Sequence, residues 1–166
     1  VLGPPPRVVV VNSHRPGLGG GGLGGFSGGR GVAPAPGVRT DPDEARAFVT
    51  ATGVDALAVA VGSVHRMLTR DAVLDFDLIA RLRAAVDTPL VLHGSSGVAD
   101  SDLAAAIAAG MTKVNVSTHL NKAFTQAIRT HLAEDPTAFD PRKYLAPART
   151  AVAKEVSHLL TVLSPS

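Results

Sequence analysis

No cysteine occurs among the 166 residues. That excludes disulfides, thiol nucleophiles and thiolate metal sites, so any metal has to be held by His, Asp or Glu. Aromatic residues are scarce, with no tryptophan, one tyrosine and five phenylalanines. No run of 18 apolar residues exists, and no basic leader precedes an apolar stretch. Neither a membrane span nor a signal peptide is therefore expected, and the expectation is a bacterial-type cytoplasmic protein with no membrane partner.

Acidic residues are missing from one region. Residues 1–40 hold Arg7, Arg15, Arg30 and Arg39 and no acid, whereas residues 41–166 hold 12 basic and 14 acidic side chains. The net charge of +2 thus belongs to the leading segment, and the rest is slightly acidic. With no aromatic residues interleaved among the basic ones and no nucleic-acid motif, no nucleic-acid partner is expected.

What is present divides the chain in two. Residues 1–40 carry 12 of the 17 glycines and half of the 12 prolines. Such a tract cannot bury enough apolar surface to order itself. We therefore expect residues 1–40 to be a low-complexity, flexible segment, apart from one possible strand at Val8–Val11. Residues 41–166 are expected to form the folded domain, since 45% hydrophobic content suffices for a core.

From Asp41 onward helix and strand patterns alternate. Asp41-Pro42-Asp43-Glu44 opens a helix that runs to Thr52 and stops at Gly53. A near-continuous apolar strand follows at 54–62, then a helix at 75–86 with Phe76, Ile79, Leu82 and Val86 at helical spacing. PLVLHG (89–94) is the next strand. Asp100 or Ser101 caps the helix after it, KVNVS (113–117) is the third strand of this half, and helices are predicted at 118–132 and 147–163. Strands apolar along their whole length are buried on both faces, which points to a parallel sheet covered by helices.

Three of these strands finish on small or polar groups at one end, at Ser63 to His65, His93 to Gly97 and Asn115 to Thr118. In a (β/α)₈ barrel that rim carries the chemistry, and phosphate sits at the loops after the last strands. Glycines let backbone N–H groups approach an anion, and Thr118 opens a helix whose positive end faces the same point. Two histidines on neighbouring strand ends are able to share a divalent metal.

These stretches carry a resemblance. DPDEARAFVTATGVDALAVAVGSVH, LDFDLIARLRAAVDTPLVLHGSSGV, KVNVSTHLNKAFTQAIR and DPRKYLAPAR resemble consecutive blocks of the class II, zinc-dependent fructose-bisphosphate or tagatose-bisphosphate aldolases, over roughly residues 40–155. The resemblance implies an α/β fold, the C-terminal half of a TIM (β/α)₈ barrel with parallel strands. It implies a lyase whose Zn²⁺ ligands include His65 and His93. It places the phosphate of the dihydroxyacetone phosphate moiety at Gly94, Ser95 and Ser96, with a second phosphate and ketose contact at Asn115, Val116, Ser117 and Thr118. The substrate class implied is a phosphorylated ketose, and the protein is expected to form a homo-oligomer or otherwise self-associate.

The departures are equally specific. The family's third zinc histidine and catalytic aspartate lie in a stretch resembling HLDHG, which this sequence lacks, and Arg66 stands where the family has glycine. The alternative expectation is therefore a catalytically inactive barrel remnant from a truncated or frame-shifted gene rejoining its frame near Thr40. Two other readings fail on context. Gly25-Phe26-Ser27-Gly28-Gly29 has the GxSxG spacing of a hydrolase elbow but no strand before it or helix after it. Gly17 to Gly22 has dinucleotide-type spacing without a following helix. Among the remaining histidines, His14 falls in the glycine-rich tract, His131 and His158 are expected to face solvent or cap helices, and His119 is a weak ligand candidate near the rim. Arg142, Tyr144 and Arg149 belong to an amphipathic surface, with a distal-phosphate contact the less favoured role.

Overall fold

The computed structural model describes residues 8–11, 39–63, 70 and 72–164. Expectations that rest on His14, on His65 and Arg66, on the flexibility of the leading tract or on its glycine motifs lie outside the described residues.

Four strands form one parallel sheet in the order β1 (Val8–Val11), β2 (Ala56–Val59), β3 (Leu90–Leu92) and β4 (Met111–Val114). The strand expected at Val8–Val11 is thus real, and the sheet begins inside the leading segment. Strands that neighbour in sequence neighbour in space, without the reversal that marks a doubly wound sheet. This is the winding of a barrel wall, here open at β1 and at β4.

Between the strands lie α1 (Pro42–Thr52), α2 (Phe76–Ala85) and α3 (Asp100–Ala109), and after β4 come α4 (Thr118–Glu134) and α5 (Pro141–Leu163). Asp41 and Asp75 start α1 and α2 by accepting backbone N–H groups of their first turns, Asp43 and Glu44 for the one and Leu78 for the other. Each such cap satisfies donors that the helix leaves unpaired.

Residues 57–61 and 90–92 are all buried. Leu57, Val59, Val61, Leu90 and Leu92 pack with Leu78, Ile79, Leu82, Leu103 and Ala106 in the core between sheet and helices. Because side chains alternate along a strand, Val91 and then His93 fall on the opposite face, the one that lines a barrel interior. Alternation therefore delivers the histidine to the side where a barrel keeps its site.

The structure differs from expectation at several points. β4 begins at Met111 and ends at Val114, so Asn115 to Ser117 lie beyond the strand in the rim loop. A register irregularity between Leu90 and Val91 on β3 shifts the pairing. β2 is likewise shorter than the apolar run at 54–62. The last helix starts at Pro141 instead of 147, because Asp140 accepts the Arg142 N–H at 3.0 Å with proline in the first turn. Proline is well tolerated there, since its missing donor is an orphan anyway.

A further difference is at α3, whose N-cap is Ala99, without a side-chain cap bond. The Asp100 carboxylate is drawn elsewhere. Its Oδ1 accepts from Arg70, its Oδ2 pairs with His158 Nε2 at 2.8 Å, and Arg70 Nε donates to Val98 O at 2.9 Å. Burial pushes this carboxyl up, but the hydrogen bonds and positive charge of Arg70 and His158 outweigh it and hold Asp100 below the ordinary carboxylate range. A depressed folded-state value stabilises the fold above the unfolded-state value and loses that contribution as pH falls through the folded one. The chain should therefore lose stability as pH drops below about 4. Asp100→Asn should flatten that part of the curve, as read by urea midpoints across pH.

Candidate functional site at the sheet rim

Beyond β3 the chain must turn sharply, and Gly94 does so at φ 69°, in the left-handed region. Ser95–Gly97 then form one 3₁₀ turn leading to α3. Four side-chain hydrogen bonds lace this loop to its neighbours. Ser63 Oγ donates to His93 O, and Ser95 Oγ donates to Asn115 O. Asn115 Nδ2 lies 3.1 Å from His93 Nε2, and the His119 N–H donates to Ser96 Oγ at 3.1 Å. Three successive rim loops are thereby held as one unit.

The expected site residues divide by what they can offer. Ser95 is buried and its hydroxyl proton is already directed at Asn115 O, so it braces the loop and leaves only its backbone for a ligand. Ser96 is half-buried and accepts from His119, which leaves its own O–H to donate. Val116 packs against the core and has no polar side chain. Ser117 is the exposed N-cap of α4, without a cap bond to the helix backbone. Thr118 is half-buried in the first turn, where unpaired N–H groups and the helix dipole favour an anion. Ser63 is legible in the sequence only as part of a polar strand end and is assigned no role there, since a serine that holds its neighbour's backbone leaves no local pattern.

A cavity of about 690 Å³ opens beside these groups, lined by Ser96, Thr118, Lys122, Arg129 and Arg70 among others. His119, expected near the rim, pairs with Glu155 of α5 at 2.9 Å. His158 is exposed, one of the two roles expected of it, and pairs with Asp100. His131 does not face solvent at its tip, for Nε2 is buried without a hydrogen-bond partner among the described residues. Arg142 is held by Asp140 and, with Arg149, lines a separate cavity beside Phe124 and Leu145.

Among the described residues no three His, Asp or Glu side chains converge on one point. His93 nonetheless has the chemistry of a metal-binding imidazole. Its contact with Asn115 orients the ring: the amide Nδ2 is a donor, so Nε2 accepts from it here, and a metal-bound ring would need the amide turned to present its oxygen.

A parallel, singly wound four-stranded sheet covered by helices, with a laced rim at its strand ends, is the arrangement of part of an α/β barrel. The family model for class II fructose-bisphosphate aldolases matches residues 19–166, and the chain belongs to that family. The matched span starts ahead of Asp41, where the aldolase-like stretches of the sequence begin. Among solved structures, the chain resembles the YdjI aldolase of Escherichia coli K12 at 36% identity and a TM-score of 0.67, covering 76% of this chain and 46% of that one. A putative fructose-1,6-biphosphate aldolase from Coccidioides immitis gives 28% identity and a TM-score of 0.67, over 76% and 44% of the two chains. The fructose-bisphosphate aldolase of Campylobacter jejuni shares the fold, at 18% identity and a TM-score of 0.64, over 75% and 45%. The chain thus spans under half the length of each of these proteins, and the match covers the C-terminal part of the family, with β2, β3 and β4 inside the matched span and β1 ahead of it.

Proposed function

We propose that this chain forms the C-terminal half of a class II aldolase centre, acting in the reversible aldol cleavage of a ketose 1,6-bisphosphate, fructose or tagatose, to dihydroxyacetone phosphate and glyceraldehyde 3-phosphate. In the cleavage direction the C4 hydroxyl gives up its proton and becomes the aldehyde. The C3–C4 bond breaks with its electron pair left on C3, which then takes a proton. The observation that carries this reading is the joining of the two last rim loops, by Asn115 to His93 and by His119 N–H to Ser96, each at 3.1 Å. It brings an imidazole and an anion-binding helix end into one unit.

In this reading His65 and His93 hold Zn²⁺, which when bound supplies positive charge against the negative charge that develops on the ketose oxygen. Asn115 fixes the His93 ring. The backbone N–H groups of the Gly94–Ser96 loop, the Ser96 hydroxyl and Thr118 receive the phosphate, while Val116 and Ser117 contribute main chain. The proton-transfer group and the third histidine would come from a stretch resembling HLDHG in the other half of the barrel. We also propose a cytoplasmic location. Self-association is favoured in our reading because, among the described residues, no strand pairs with the outer edges of β1 and β4.

Calorimetric titration with zinc tests the metal role directly. The parent chain should bind at about micromolar dissociation constant or tighter, and His93→Ala should weaken that at least about tenfold, as loss of a ligand does. His131→Ala should leave it unchanged. An unaltered isotherm for His93→Ala would remove His93 from the centre.

A further inference from the structure

Helix α5 comes after the last rim loop in the chain, yet its side chains reach back to all three. Glu155 Oε1 accepts from His119 Nε2 at 2.9 Å, and His119 stands in the first turn of α4, directly after the loop that follows β4. His158 Nε2 donates to Asp100 Oδ2 at 2.8 Å, and Asp100 opens α3 just past the 3₁₀ turn that follows β3. The other Asp100 oxygen accepts from Arg70, in the loop between β2 and α2. Residues three apart share a face of a helix, so one turn of α5 is tied to the loops after β2, β3 and β4.

These pairs are not what anchors α5. Leu159, beside His158, is buried in the core, and Val162 and Leu163 pack partly against it. Burying such side chains stabilises more than partly exposed ion pairs do. What the pairs carry is position. The His119 N–H is one of the first-turn donors that have no partner inside their own helix, and it is given to Ser96 Oγ at 3.1 Å. Glu155 therefore fixes the residue that holds the β3 loop. On the other side, Arg70 Nε donates to Val98 O at 2.9 Å and the Ala72 N–H donates to Gly97 O at 3.0 Å. His158 fixes the carboxylate on which Arg70 closes.

We propose that this turn of α5 is a brace that sets the spacing of the three rim loops, with Glu155 and His158 as positioning residues for the site those loops carry. The proposal rests on reading the rim as the site. It gives α5, which supplies no ligand in that reading, a part in arranging those that do.

The test is amide hydrogen exchange on the full 166-residue chain, read at two reporters. The His119 amide reports whether Ser96 is docked, and the Ala72 amide reports whether the β2 loop is closed on the β3 loop. Glu155→Ala should speed exchange at His119 about fivefold, the upper end for a partly exposed ion pair, while amides of β2 and β3 keep the parent rate. His158→Ala should speed exchange at Ala72 by less, about threefold, because its side chain is the more exposed. Glu155→Gln keeps an acceptor and His158→Gln a donor, so each should stay within about twofold of the parent at its reporter. Zinc titration then reads the site, and Glu155→Ala combined with His158→Ala should weaken binding about threefold or more. Unchanged exchange at both reporters, exchange raised equally across the sheet, or reporters that the glutamine variants fail to restore would each overturn the brace. Opened reporters with unchanged zinc affinity overturn its role in positioning the site. A parent chain that binds no zinc overturns the metal reading instead, and the two amides still decide the brace.

Discussion

Gly62→Ala should cost the chain about 3 kcal/mol or more and lower its urea midpoint accordingly. Gly62 sits at φ 124°, where an L side chain is strained, and a Cβ there would lie 2.1 Å from the Val73 carbonyl oxygen. That oxygen is main chain and cannot swing aside, so the backbone of the β2 rim or of the segment leading into α2 has to move. Gly53 separates the two causes. It also has a positive φ, 60°, but a Cβ there meets nothing within 4 Å. Gly53→Ala carries only the left-handed penalty of about 1 kcal/mol. Equal losses at the two positions would mean that the Val73 contact contributes nothing. The effect should also reach the rim, because Gly62 precedes Ser63, whose hydroxyl holds the His93 carbonyl. In Gly62→Ala the His93 ring should therefore show a shifted NMR resonance even where the chain stays folded.

How much of this architecture is legible in the sequence follows from the range of the forces involved. Apolar runs at 54–62 and 89–92 reveal buried parallel strands, and the Asp41-Pro42 opening reveals the start of α1, because both are local. The rim residues are legible as candidates for the same reason, since small and polar groups directly after an apolar run mark the point where a strand leaves the core. Their partners are not legible. Asn115 and His93 each stand out alone, yet their contact across 22 residues depends on strand register, and the irregularity beside β4 leaves no mark in the pattern. Asp100 looks like a helix cap in isolation. Arg70 and His158, 30 and 58 residues away, take its carboxylate instead. Ser95 looks like a phosphate donor until the fold directs its hydroxyl to Asn115 O. In each case a short polar side chain has several possible partners, and tertiary packing chooses among them.

The second large effect is expected at Leu92. This side chain is fully buried in β3, in the core shared by the sheet, α2 and α3. Its carbonyl accepts the Asn115 N–H at 3.0 Å, carrying the ladder past the end of β4. Leu92→Ala removes three carbons from a packed interior, and such truncations cost about 2–5 kcal/mol because the surroundings close the void only in part. Leu92→Met, which nearly conserves volume, should cost under about 1.5 kcal/mol. Phe139→Ala provides the exposed control. That ring is 91% exposed, and its loss should move stability by no more than about 0.5 kcal/mol. The consequence for the site follows from strand geometry. Leu92 and His93 are consecutive and face opposite sides of the sheet, so a β3 that shifts toward the void tilts the imidazole away from Asn115. Leu92→Ala should therefore weaken zinc binding as well as the fold, whereas Leu92→Met should leave zinc binding near the parent value. Weakened zinc binding in Leu92→Met at parental stability would show that the ring is positioned by something other than the packing beneath it.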